Sequence, residues 1–310
     1  MRPVVSVVVV SDYAGGEERS WNDVRRALAA LAAQDTEEPF ECLLVESSAT
    51  AVTVPPDVAA LVPGLRVVTD PGAGSYALKN AGARAATAEL VAILDADCTP
   101  RPDWLRVGLA ALRGDPAVVA VSGRTTYAGR GVSERALAVL SRAYLDPGAA
   151  GPTKFISNNN AIVRRADYLA HPLPTDGGPF ASRIQSEAMR RRGARFRFEP
   201  GMVVVHEFEG WAMERDIRRN IGYGTIRIRQ LDPKMPWAWM ARLGTASIPL
   251  FVAARTVDSW WDAIRAGRHY GLRWYEQPVA FALAVVVHVL EIAGMRQAFR
   301  DEPITTTAYR

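Results

Sequence analysis

Val4 to Val10 is a β-branched run, apolar throughout but for Ser6. Such a run has no polar face, which predicts a strand buried on both sides of a parallel sheet. The same reasoning predicts strands at Phe40–Val45, Leu65–Val68, Leu90–Leu94 and Val118–Ser122. Between them the apolar positions fall at helical spacing. Helices are expected from Val24 to about Gln34, with Ser20 and Asn22 as candidate caps, over the alanine-rich Ala77–Ala88, and over Trp104–Leu112. A glycine-containing loop at Gly72–Tyr76 separates the third strand from the second helix. Strands that alternate with helices predict an α/β fold, a doubly wound and mostly parallel sheet with crossover helices.

Further along, the alternation loosens. Ser182–Arg192 reads as a helix ended by Gly193, and Phe196–Phe198 and Met202–Val205 as strands, the second running into His206-Glu207. From Trp211 the chain is helical in pattern, with breaks at Pro233 and Pro236. The division expected is residues 1–210 for the sheet domain and 211–310 for a helical C-terminal region. Pro278–Met295 is apolar apart from His288 and Glu291. Its length is near the ~18–20 residues that span a bilayer, and the two polar side chains argue against a span. A membrane-surface helix and a packed soluble helix remain open.

Charge sharpens that region. The whole chain carries a net +4, with 49% hydrophobic and 23% charged residues, which fits a sizeable core and not a disordered chain. From Trp211 to Tyr275, however, eleven Arg/Lys face five Asp/Glu, and six of the eight tryptophans lie there. A basic, tryptophan-rich segment suits an anionic interface of lipid headgroups or phosphates. No nucleic-acid-binding motif accompanies it, so nucleic acid is not the expected partner. Cys42 and Cys98 read as buried, reduced thiols. Met1-Arg2-Pro3 leads directly into a strand, so a cytoplasmic location is expected, at the inner face of the membrane if the basic segment engages lipid.

The chemistry gathers at strand ends. The first strand runs into Ser11-Asp12-Tyr13, the second into Glu46-Ser47-Ser48, and the fourth into Asp95-Ala96-Asp97. In a parallel sheet these ends share one edge, where open α/β sheets bind ligands. Asp95 and Asp97, two apart in extended chain, point to one side. Hard cations such as Mg²⁺ take one or two carboxylates together with substrate phosphates. Lys79-Asn80-Ala81-Gly82, near a helix start, supplies a lysine and an N-terminus suited to a metal-bridged diphosphate. Taken singly, the acidic triplet also reads as a solvated turn and Lys79 as a solvated lysine.

The stretch from Gly74-Ser75-Tyr76-Ala77-Leu78-Lys79-Asn80-Ala81-Gly82 to Asp95-Ala96-Asp97 resembles family-two glycosyltransferases of the GT-A fold. Those proteins carry an Arg/Lys-Asn-x-Gly helix start, a strand, and an Asp-x-Asp motif. The likeness covers about the first two-thirds of the chain and takes in Gln34, Asn158 to Arg165, and Glu199-Pro200 leading to Val203-Val204-Val205-His206. It implies a GT-A-like sheet and an inverting transfer from a nucleotide-sugar, UDP-linked by expectation, to a glycan or a lipid-linked acceptor such as a polyprenyl phosphate. It implies Mg²⁺ or Mn²⁺ held by Asp97, Asp95 and His206, and donor contacts from Ser11, Glu46, Lys79, Asn80 and Asp95. Asn159 and Arg164 fall where the family lines the acceptor side, and Arg218 and Arg219 are candidates for phosphate. His206 also reads as a strand-end cap, and the asparagines as turn formers.

One position departs from the family pattern. A Glu-Asp or Asp-Asp pair, whose Asp is the general base, usually precedes the helix that ends here in Gly193. Counting back places that pair at Ala181-Ser182. Asp176 and Glu187 are the nearby carboxylates and the candidate bases. An acceptor that is already ionised needs no base. Two further readings stay open: a degenerate glycosyltransferase-like binding subunit, and a sugar-phosphate nucleotidyltransferase. The latter needs a basic glycine-rich loop after the first strand, where Gly15-Gly16 is followed by Glu17-Glu18.

Overall fold

The structure, a computed structural model, describes residues 2–11, 21–48, 54–71, 74–129, 131–208 and 210–304. Asp12, Tyr13, Gly15, Gly16, Ser20 and Gly72 lie outside the described residues. The elements run β1 (Val5–Val10), α1 (Asn22–Ala32), β2 (Phe40–Ser47), α2 (Pro56–Ala59), β3 (Arg66–Asp70), α3 (Ser75–Ala85), β4 (Leu90–Asp95), β5 (Cys98–Pro100), α4 (Trp104–Arg113) and β6 (Val118–Tyr127). Then come α5 (Val132–Arg142), β7 (Gly151–Thr153), β8 (Asn160–Arg164), α6 (Arg165–Ala170), α7 (Ala181–Arg190) and β9 (Arg195–His206). Helices complete the chain: α8 (Trp211–Leu231), α9 (Ala238–Ala241), α10 (Ile248–Ala266), α11 (Gln277–Leu290) and α12 (Ile292–Phe299).

Among the described residues one sheet holds nine strands, in the order β3-β2-β1-β4-β8-β6-β9-β5, with β7 beside β9. β1 to β4 pair in parallel, β8 runs antiparallel to β4 and β6, and β6 is parallel to β9. The apolar run of β1 reflects burial on both faces. Val5, Val7 and Val9 join a core with α1, α2 and α4, whereas Val8 and Val10 join a second core with α3, α6 and α7. Gln34, just past α1, ties these elements to the sheet's edge. Its amide nitrogen donates to the Arg101 carbonyl and its oxygen accepts from the Leu105 N–H.

Several expected elements take another form. The two strands expected at 196–198 and 202–205 are one bulged strand, β9, whose register against β6 shifts between Gly123 and Arg124. Asn22 opens α1, and the preceding residue, Trp21, adopts φ +60°. The Pro278–Met295 run is two helices, α11 and α12, that meet at Glu291. The helical region expected from residue 211 does begin with α8, but its core is shared with the sheet domain. Ala136, Ala138 and Val139 of α5 pack against Ala263, Ala266 and Ala280 of α10 and α11.

A buried ion network joins these helices. Glu291 is fully buried and receives both Arg255 nitrogens, Nε at 2.7 Å and Nη2 at 2.9 Å, and His288 Nδ1 at 3.1 Å. Arg218 stands 3.9 Å away and pairs with Glu214 at 2.6 Å. Burial alone would raise the Glu291 carboxyl. Arg255 and His288 outweigh it and hold the group down to about 2. α12 crosses α8 closely enough that a Cβ on Gly294 would lie 1.8 Å from the Arg219 carbonyl oxygen, so only glycine fits there.

Candidate active site

The parallel register places the strand ends side by side. Val10 of β1 is level with Val45 of β2 and with Asp95 of β4. Ser11 therefore sits between Glu46 and Asp95. Ser11 Oγ donates a hydrogen bond to Glu46. Both groups are buried, and burial pushes the Glu46 carboxyl up to about 7 even though Ser11 pulls it down.

The acidic pair is held by backbone. The Ala96 N–H donates to the Val10 carbonyl, and the Glu207 N–H to the Asp97 carbonyl. Cys98 then opens β5, which pairs with β9 so that Cys98 faces His206. That three-residue strand brings the histidine to the motif. His206 Nε2 lies 3.2 Å from Asp97 Oδ2, and one ligand atom each from Asp97, Cys98 and His206 falls within a 4.8 Å group. His206 Nδ1 lies 2.5 Å from the Glu207 carbonyl oxygen, which can only accept, so Nδ1 carries a proton, and in the neutral imidazole Nε2 presents a lone pair. A lone pair and a carboxylate 3.2 Å apart repel unless a cation, proton or metal, serves both. Asp97 Oδ1 is buried and has no hydrogen-bond donor among the described residues. An orphaned carboxylate oxygen beside an imidazole lone pair is the donor set expected of a divalent-metal site. The residues present fit the Mg²⁺ or Mn²⁺ that the motif implies.

Lys79 is 1% exposed, with Nζ 2.6 Å from Asp95 Oδ1 and 5.5 Å from the centre of the Tyr76 ring. Burial pushes the Asp95 carboxyl above its ordinary value, Lys79 opposes this, and Asp97 adds to it. α3 reaches this position because Gly82 lets it lie against β1. A Cβ there would stand 2.3 Å from Val8 Cγ1. That close approach gives the Lys-Asn-x-Gly start a packing reason for its glycine.

Other expected residues fall elsewhere. Asn80 is aimed away from a donor. Its amide nitrogen donates to the Leu173 carbonyl, and its oxygen accepts from the Leu173 N–H and the Tyr168 hydroxyl. It straps down the segment that leads to Asp176, which is exposed in a turn. Asn159 is buried beneath the acidic pair, accepting from Ser157 Oγ and donating to Cys98 Sγ. Arg164 is a correction: it pairs with Leu90 at the start of β4, ~17 Å of strand from Asp95. There its guanidinium donates to the carbonyls of Val118 and Pro116. Arg218 is another, since its 2% exposed side chain is held by Glu214 and Ser141 and cannot meet a phosphate. Arg219 pairs with Asp216 at 2.8 Å. Glu187 lies at the surface in ion pairs with Arg190 and Arg191. Ser182 donates to the Ile156 carbonyl, so its hydroxyl is a structural tie.

Sequence reasoning passed over Tyr127, Phe208 and Arg183. The Tyr127 ring lies 5.3 Å from His206 and 6.4 Å from Phe208, forming an aromatic wall beside the acidic pair. Arg183 follows Ser182, half-buried, with its guanidinium 5.3 Å from the Phe155 ring centre. Burial holds its pKa below the ordinary arginine value. Among the described residues no carboxylate pairs with it within 4 Å. Its place beside the missing base was the available signal.

The fold is similar to that of a solved mannosyltransferase, PcManGT from Pyrobaculum calidifontis, in complex with GDP-mannose and Mn²⁺. The two share 19% identity with a TM-score of 0.60, over 98% of this chain and 89% of that one. No curated protein sequence matches the chain. The family profile described as Glycosyl transferase family 2 matches residues 16–170, half of the chain, which sets aside the nucleotidyltransferase reading. Glu46, Lys79, Asp95 and Asp97 of the strand-end site fall within that matched stretch, and the chain belongs to glycosyl transferase family 2, the glycosyltransferases that its motifs resemble.

Proposed function

We propose that this glycosyltransferase transfers a sugar from a nucleoside-diphosphate sugar with a divalent metal ion, and that its acceptor oxygen is already ionised. The observation that carries the metal part is the facing of the His206 Nε2 lone pair and the Asp97 carboxylate, with Asp97 Oδ1 orphaned beside them. Asp97 and His206 would hold the ion, with Asp95 nearby. Bound there, Mg²⁺ or Mn²⁺ offsets the charge that the diphosphate gains as it leaves. Glu46 accepts hydrogen bonds from the base or ribose, with Ser11 fixing its orientation. Lys79 neutralises Asp95 and so lets an anionic diphosphate approach the acidic pair. The start of α3 adds its N–H groups to that approach. The nucleotide is uridine by the family likeness. PcManGT was solved with GDP-mannose, which makes GDP the other donor to test.

The acceptor reading comes from Ser182 and Arg183. Where a general base would stand there is a serine tied to a carbonyl, and next to it an arginine without an ion-pair partner among the described residues. A phosphate or carboxylate acceptor supplies its own negative oxygen and is bound by a guanidinium. The reaction is then a single displacement with inversion. The acceptor oxygen bonds the anomeric carbon as the bond to the diphosphate breaks, and the electron pair leaves on the β-phosphate. A lipid-linked phosphate is the acceptor favoured, with a glycan hydroxyl as the rival. Transfer from UDP- and GDP-sugars should be measured on polyprenyl phosphate and on soluble sugars. Transfer to the phosphate, weakened at least tenfold in KM by Arg183→Gln with nucleotide affinity unchanged, supports this reading. Transfer to neutral hydroxyls alone contradicts it. Nucleotide binding without transfer to any acceptor favours the binding-subunit reading, which the locked Ser182 hydroxyl also suits.

A further inference from the structure

The outer faces of α10 and α11 carry apolar side chains where a water-facing helix carries polar ones. Val279, Val285, Val286 and Val289 of α11 are 40–49% exposed and recur at helical spacing. α11 itself contains no Asp, Glu, Lys or Arg, and its one histidine is turned inward to Ser259 and Glu291. Leu250, Val257, Trp261 and Ile264 make a matching stripe on α10, 46–64% exposed. The acids of α10 lie on its flank: Asp262 pairs with Arg265, and Asp258 feels Asp262, Arg255 and His288. Between the helices runs a groove of about 910 Å³, lined by Val252, Trp260, Val285 and Ile292. An apolar face of this extent is an interaction surface.

Its rim identifies the occupant. At the corner between α10 and α11 stand Arg268 and Arg273, with Trp274 82% exposed and Tyr275 52% exposed. At the other end the groove closes on Arg296 and Arg300. Tryptophan, tyrosine and arginine around an apolar helix face are the composition of a helix lying at a lipid headgroup boundary. A second copy of the chain fits less well. In a two-fold pairing through this face, arginine would meet arginine whichever ends were opposed.

The packing of α11 favours a helix that lies on a bilayer over one that crosses it. Trp274–Phe299 is long and apolar enough to span by length and composition, yet 39% of its apolar window is buried inside the protein. α11 has 14 residues and runs on into α12 through the buried Glu291. Its inner face, Ala280, Ala284 and Val287, is fully buried, and it ends at the Glu291–Arg255 pair.

We propose that the α10–α11 face docks the enzyme on an anionic phospholipid leaflet, with the valine and tryptophan stripes at the acyl boundary and the rim arginines on lipid phosphates. The inference stands apart from the donor and acceptor reading. It is tested by co-sedimentation of the full chain with phosphatidylcholine vesicles and with 7:3 phosphatidylcholine–phosphatidylglycerol vesicles. The expected result is pelleting with the anionic vesicles, an affinity that falls with salt, and at least a tenfold loss in Val286→Glu. The double variant Arg268→Glu/Arg273→Glu should lose the preference for phosphatidylglycerol. All three substituted positions are exposed, and an unchanged thermal melt and nucleotide titration confirm the fold of each variant. The proposal is overturned if the wild type stays in the supernatant with both vesicle types. It is equally overturned if Val286→Glu and the double variant both pellet as the wild type does, or if Val286→Glu instead dissolves a vesicle-independent dimer.

Discussion

Glu46 carries a charge that the fold disfavours, and replacing it by glutamine exposes that cost. Burial pushes its carboxyl up to about 7 from an ordinary 4.5. At ~1.4 kcal/mol per tenfold change in proton affinity, that gap is about 3 kcal/mol. Below pH 4.5 the carboxyl is protonated in both the folded and unfolded chain, so it costs nothing. As pH rises from 4.5 to 7 the unfolded chain releases the proton first, and the folded state loses stability until the native carboxyl also ionises. Glu46→Gln should therefore match the wild type at about pH 4.5 and be about 3 kcal/mol more stable relative to it at pH 8. Urea unfolding at half-unit steps across this range measures the difference. A stability gap that is constant with pH, or that moves the other way, would refute the reasoning. A second readout follows from function. A base or ribose that donates to Glu46 needs the carboxylate, so wild-type nucleotide affinity should rise through pH 7 with proton release, while the variant stays flat.

Gly82→Ala should destabilise by about 1–3 kcal/mol, because its Cβ meets Val8 Cγ1 at 2.3 Å. It should also weaken nucleotide binding by moving Lys79, and calorimetry with a thermal melt separates the two effects. Glu291→Gln leaves Arg255 without its carboxylate and Arg218 with Glu214 alone and should cost about 3–5 kcal/mol by denaturant unfolding at pH 7. Since Glu291 is held down to about 2, its contribution is full above pH 4.5 and is lost as pH falls toward 2. The variant's deficit should shrink over that window.

The sheet was legible because burial on both faces leaves a plain mark: the middles of β1, β2 and β4 are runs of Val, Leu, Ile, Ala and Cys with few polar interruptions, so their ends and the residues just beyond them could be placed. β5 was not legible, since three residues carry no periodicity, and yet it brings His206 to Asp97. α5 was missed because it opens after Gly131 without a side-chain cap and with Glu134 and Arg135 in its first turn. Asn80 looked like a donor contact because its partner, Leu173, lies far along the chain. Arg218 looked free to meet a phosphate for a similar reason. Glu214 is one turn away and readable, but Glu291, which completes its burial, comes from another helix. Side-chain roles decided by long-range packing leave no local pattern to read.

If Asp97 and His206 hold a metal ion to which the donor's diphosphate binds, nucleotide affinity must depend on that ion. Calorimetric titration of UDP and GDP into the full chain, with Mn²⁺ and then with EDTA, measures this dependence. The expected result is binding of one nucleotide in Mn²⁺, loss of at least tenfold in EDTA, and the same loss in Asp97→Asn with Mn²⁺ present. Equal affinity with and without metal, or full Mn²⁺-dependent binding by Asp97→Asn, would contradict it.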